Sequence, residues 1–96
     1  YYERAMAQFP NEQFKVFSDD IGWCKNNPLF KHCSFSEELS AIDDFNSMAS
    51  CKGHIIANSS FSWWAAWLSG QKTVAPNKWF SDGVQRVGLP DKWILV

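Results

Sequence analysis

The stretch that decides the fold is His54–Gly70, HIIANSSFSWWAAWLSG. A short β-favouring run, His54 to Asn58, passes into Ser59-Ser60, and then Trp63, Trp64 and Trp67 arrive within five positions. An apolar run of strand length, a serine pair, helical spacing and a glycine read as strand, helix start, helix and stop. The spacing predicts a helix over Ser60–Ser69. Phe61, Trp64, Ala65 and Leu68 then share one face, while Trp63, Ala66 and Trp67 lie round the other. A helix apolar nearly all round is expected to be buried on two faces. All three indoles are therefore expected in the core, with stacking on a sugar or base open for one of them.

Working outward, KTVAP (Lys72–Pro76) reads as the next strand, and Trp79-Phe80 as the start of an irregular tail ending in DKWILV. Upstream, Phe14–Ser18 and Leu29–Phe35 have strand length and composition. YYERAMAQF reads as helix up to Pro10-Asn11, and IGWCKN as a brief helix capped by an aspartate from Asp19-Asp20. A longer helix is expected over residues 44–51, with Asp43 as its cap and Lys52-Gly53 as its end. Residues 36–42 are either loop or an earlier turn of the same helix. Strands alternating with helices imply right-handed crossovers. The expected class is α/β: a Rossmann-like parallel sheet of about four strands with helices on both faces.

Composition narrows the function classes. The chain has 96 residues, enough for one domain or part of one. Six Trp and eight Phe can bury large areas, so a core is within reach. Nine basic against ten acidic residues, without a basic run, argue against a nucleic-acid partner. Cys24, Cys33 and Cys51 are odd in number and lack Cys-x-x-Cys spacing, which suits reduced thiols better than a disulfide framework. Zinc is not expected, since His32-Cys33 and Cys51…His54 are chance-grade pairs. No segment reaches the roughly 18 apolar residues of a membrane span. The first residues read like the interior of a helix already under way, so the expectation is residues 1–96 as a partial domain of a longer chain.

The junction Asn58-Ser59-Ser60-Phe61 lies at the carboxyl end of a predicted parallel strand, where ligands of open α/β sheets gather. A helix starting there offers unpaired amides and the positive end of its dipole, and serine hydroxyls add donors. Phosphate or pyrophosphate suits that geometry. Serine is also among the commonest N-caps, so on the residues alone simple capping is the favoured reading of the pair. No Gly-rich loop or P-loop lysine accompanies it.

The pieces FSDD-IGWCK, DDFNSMASCKGHIIANSSFSWWAAWL and TVAPNKWF together resemble the carboxyl-terminal half of bacterial-type α-1,2-fucosyltransferases, the inverting family that uses GDP-fucose. The resemblance covers nearly the whole chain, from about Tyr1 to Trp93. It implies a two-Rossmann-domain (GT-B-type) glycosyltransferase whose second half binds the donor nucleotide. Ser59 and Ser60 would hydrogen-bond the pyrophosphate, joined by the backbone N–H of Phe61. Asp44 matches the family's nucleoside-contacting aspartate, with Met48 at the apolar position four residues on. A carboxylate suits guanine, whose N1–H and exocyclic amine form two parallel donors that adenine lacks. Asp19 and Asp20 are weaker candidates, since capping accounts for them as well.

The family's His-x-Arg-x-Gly-Asp-like motif has no counterpart here: the arginines are Arg4 and Arg86, in unrelated contexts. Departing GDP builds negative charge on its β-phosphate and needs such a cation. No catalytic residue is therefore assigned within this chain, which alone is expected to be inactive. His54 is expected to be structural. The resemblance further implies no cofactor and no metal, a galactose-containing glycan as acceptor, the parent's N-terminal half as partner, and a cytoplasmic setting that includes the membrane surface. Two other readings stay open: a non-catalytic Rossmann-like module, and a transferase using another sugar nucleotide.

Overall fold

The computed structural model describes residues 1–37, 40–57, 59–76, 90 and 92–96. Its elements run α1 (Tyr2–Met6), β1 (Lys15–Val16), α2 (Ile21–Lys25), a 3₁₀ turn (Pro28–Phe30), β2 (Ser34–Phe35), α3 (Ala41–Ala49), β3 (Gly53–Ile55), α4 (Ser60–Ser69), β4 (Lys72–Ala75) and β5 (Ile94–Leu95). The expected break at Trp79-Phe80 lies outside the described residues, as do Asn58 and Arg86.

The architecture is α/β, and each described ladder is parallel. The strands form two small sheets, β1-β2 and β3-β4-β5, where about four strands in one sheet are expected from sequence. The fifth strand is a difference from the expected irregular tail. Ile94 and Leu95 add to the free edge of β4, opposite Val74 and Ala75, and Trp93 beside them is buried. A parallel partner about twenty residues away leaves no local signature, which is why a four-residue apolar ending reads as tail.

Other boundaries shift for local reasons. Leu29 and Phe30 are not strand: Asn27 Oδ1 accepts from the Leu29 amide and Pro28 opens a 3₁₀ turn, so β2 shrinks to Ser34–Phe35. Helix α3 begins three residues earlier than expected. Its cap is Ser40, in extended backbone, whose Oγ accepts from the Asp43 amide at 3.1 Å; Asp43 and Asp44 sit in the first turn, where the helix dipole favours acids. Gly53 does not end this helix. It opens β3, and a Cβ there would lie 2.6 Å from Phe9 Cε1, so the aromatic ring occupies the space a side chain would need. Gly70 ends α4 as expected, in the left-handed region at φ 66°.

The core lies where α3 and α4 pack together against β3 and β4. Ile56, Ala65, Ala66 and Ala75 are fully buried, with Met48 and Trp93 nearly so. Helix α4 presents Ser62, Ala65 and Ala66 inward. The expectation that all three indoles are core is corrected here: Trp63 packs half-buried against the cluster, but Trp64 is 51 % and Trp67 50 % exposed. Small residues at the inward positions bring the helix close to the sheet and leave the large rings outside the contact. Sequence could not rank the faces, because both carry apolar residues.

Helix α1 and its continuation clamp the second sheet. Tyr1 Oη donates its one proton to the Ile56 carbonyl at 2.5 Å, with the Val74 carbonyl 3.2 Å away as a second acceptor, and burial pushes this phenol above its usual range, so it remains a donor. Lys72 Nζ donates to the Gln8 carbonyl and lies 4.5 Å from the Phe9 ring centre.

Candidate functional site

A cavity of about 1190 Å³ separates the two sheets, lined on one side by β1 and on the other by β3. It exceeds the range of roughly 300–1,000 Å³ usual for small-ligand pockets. Of the four sequence candidates, Asp44, Ser59 and Phe61 line it, whereas Ser60 does not and is exposed.

At the start of α4 the backbone dictates the chemistry. Ser59 has extended φ and ψ, and its Oγ accepts from the Ser62 amide at 3.2 Å, a regular N-cap. The Trp63 amide bonds the Ser59 carbonyl at 3.0 Å. The amides of Ser60 and Phe61 precede the first intrahelical bond and have no acceptor within the helix. Ser62, absent from the sequence candidates, is buried and lines the cavity. Its Oγ lies 2.8 Å from Ser59 Oγ and donates toward the carbonyls of Ala57 or Ser59 at 3.3 and 3.2 Å. Each hydroxyl has one proton. When Ser62 gives its proton to Ser59 Oγ, the Ser59 proton is free for a ligand; when Ser62 bonds a carbonyl, Ser59 serves Ser62. The signal for Ser62 was its i+3 spacing from the cap, which reads first as an ordinary polar helix position.

Asp44 reaches the same cavity from the first turn of α3. Ser36, just beyond β2, donates its Oγ–H to Asp44 Oδ1. The Ser36 amide in turn bonds the Val16 carbonyl at 2.9 Å, continuing the β1–β2 ladder. The rings of Phe45 and Phe61 meet edge to face at 5.4 Å, so the residue after Asp44 and the residue after Ser60 hold the two helix starts together. Around them, Asp19 lines the cavity, while Asp20 caps α2 by accepting from the Trp23 amide at 3.2 Å. Lys15, a lining cation hidden in an apolar strand run, donates to Ser47 Oγ at 3.2 Å.

His54 also lines the cavity, from the middle of β3. It is 4 % exposed, and its Nε2 has no hydrogen-bond partner among the described residues. Burial lowers its pKa, so the ring is neutral near pH 7 and supplies no charge to an anion. The strand rises roughly 3.3 Å per residue, which separates His54 from the α4 start at the far end. Among the described residues no cluster of three metal-ligating side chains occurs, and no helix is long and apolar enough to cross a membrane. Arg4 is exposed on α1.

The chain is 41% identical over 106 aligned positions to the O-antigen biosynthesis glycosyltransferase WbnK of Escherichia coli, covering 98% of this chain and 35% of that protein. It is 42% identical to an α-1,2-colitosyltransferase of E. coli, over 93% of this chain and 34% of that protein. To the galactoside 2-α-L-fucosyltransferase SEC1 of cattle it is 32% identical, over 71% and 20%. It thus spans about a third of the length of the bacterial relatives. No solved structure matches the chain. Residues 1–86 match glycosyl transferase family 11, the assignment toward which the NSSFSWWAAWL motif points, and the chain belongs to that family.

Proposed function

We propose that the chain is the donor-nucleotide-binding part of an α-1,2-glycosyltransferase that uses GDP-fucose and transfers fucose, with inversion, to a galactoside hydroxyl of a glycan. The observation that carries this reading is the convergence of Asp44 and the start of α4 on one cavity. In this reading the Asp44 carboxylate accepts from guanine N1–H and the exocyclic amine. The amides of Ser60 and Phe61 and the Ser59 hydroxyl hold the pyrophosphate. Ser60, outside the cavity lining, contributes through its amide rather than its side chain. These contacts favour the nucleotide in the ground state and as a leaving group, because negative charge grows on the β-phosphate as the glycosidic bond breaks.

A single displacement accounts for inversion: the acceptor oxygen attacks the anomeric carbon opposite the departing diphosphate. Helix amides and an arginine supplied by the rest of the protein take the place of a divalent ion. The acceptor-binding and proton-accepting groups also lie in the rest of the protein, which works in the cytoplasm or at its membrane surface. A second donor is favoured by a specific observation, the 42% identity to an α-1,2-colitosyltransferase: a nucleotide carrying another deoxysugar.

Titration calorimetry of GDP, UDP and ADP on the full-length protein tests the nucleotide assignment. GDP is expected to bind at least about tenfold tighter than ADP, the equivalent of one lost hydrogen bond to a charged group. Equal affinities for the three would overturn the reading. Turnover of GDP-fucose against GDP-colitose then separates the two donors.

A further inference from the structure

The Asp44 carboxylate could swing through several rotamers on an exposed first turn, and a group that reads a flat base must not. What holds it is a hydroxyl from a different element. Ser36 is 8 % exposed, and its backbone is tied into the β1–β2 ladder through the Val16 carbonyl. Its Oγ–H is therefore delivered from a fixed frame to Asp44 Oδ1. We infer that Ser36 is a positioning residue for base recognition: it fixes the Asp44 carboxylate plane and so sets the preference for guanine over adenine. This rests on the proposed role of Asp44.

The stereochemistry supports it. A carboxylate oxygen has two lone pairs, so Oδ1 can accept from Ser36 and still accept one of the two parallel donors of guanine, while Oδ2 accepts the other. A bond that takes one lone pair of Oδ1 leaves the other for the ligand and restrains the rotation that would misalign the carboxylate. Without Ser36 the carboxylate must be ordered at the moment of binding, and part of the recognition is lost to that ordering. Sequence reading passes over Ser36, because it is one of many serines and its partner is eight positions away across a helix cap.

The test measures the dissociation constants of GDP and ADP on the full-length protein and its variants by calorimetry. Ser36→Ala is expected to raise the GDP constant about tenfold, as for one charge-assisted hydrogen bond, and to leave the ADP constant within about twofold. Ser36→Thr, which keeps the hydroxyl, is expected to restore the GDP preference. Adding Ser36→Ala to Asp44→Asn should produce little further loss, since the serine acts through the aspartate. Equal weakening of GDP and ADP by Ser36→Ala, or full additivity with Asp44→Asn, would overturn the inference and leave Asp44 in place. If Asp44→Asn alone does not change GDP binding, the base-reading role of Asp44 fails, and the role of Ser36 with it.

Discussion

Ser59 and Ser60 are neighbours in sequence with different partners. Ser59 Oγ caps α4, whereas the Ser60 side chain is exposed and its amide has no acceptor among the described residues. Ser59→Ala is expected to destabilise the fold by about 1 kcal/mol, the usual cost of a lost cap, and to lower nucleotide affinity as the helix start frays. Ser60→Ala is expected to leave both nearly unchanged. Ser60→Pro removes the amide at a position where proline is sterically accepted, so affinity should fall while stability holds. Denaturant midpoints and calorimetric affinities on the three variants separate the roles; a Ser60→Pro variant with full affinity would remove that amide from the site.

His54 makes a separate residue-level prediction. Its pKa in the fold is lowered by burial, while in the unfolded chain it titrates near about 6.5. Below that value the unfolded state binds the extra proton and the folded state does not, so stability falls as pH drops from about 6.5 toward the lower folded value, and is flat above. Denaturant midpoints measured from neutral to mildly acidic pH should show this slope, and His54→Gln should abolish it. An identical slope in the variant would assign the acid sensitivity elsewhere.

At the scale of elements, α4 is the one whose sequence misleads most. Its apolar character gives a correct helix and a correct stop at Gly70, but the inward face is chosen by Ala65 and Ala66 rather than by the rings. Trp64→Ala should therefore cost about 2 kcal/mol, half of the roughly 3–5 kcal/mol of a fully buried aromatic. Thermal or chemical unfolding measures it, and a loss at the full core value would return Trp64 to the interior. Strands with clear neighbours in sequence were legible: β3 and β4 stand close to their expected places, and each described ladder is parallel. What stayed hidden depended on remote or competing contacts. Asn27-Pro28 turns Leu29 out of a strand, Ser40 outcompetes Asp43 as a cap, and β5 exists only because β4 offers an edge. For the site, the motif made Asp44, Ser59 and Phe61 visible, and the cavity gathers them. Ser36 and Ser62 were not legible, since each matters through a hydrogen bond to a residue that is itself the recognisable one.

At the scale of the molecule, the cavity lies between two sheets rather than over one. Its walls are β1 and β3, whose ladders are only two and three residues long, and the parts that hold it together are the Phe45–Phe61 contact and the α1 clamp. A ligand that bridges Asp44 and the α4 start ties the first sheet's helix connection to the second's, so binding and stability are linked. The chain spans 35% of the length of the O-antigen glycosyltransferase it resembles; under the proposed function it supplies the nucleotide's seat and not the reacting groups.

The indole grouping has an optical consequence. Trp63 and Trp67 lie nearly parallel, 8° apart with centres at 6.2 Å, with Trp64 and Trp93 within 5.8 Å of Trp63. Chromophores this close share excitation, so the fold should carry an exciton couplet in circular dichroism and strong self-quenched emission. Because the stack begins one turn after the Ser59 hydroxyl, a change at the start of α4 should register in the indole signal without a dye.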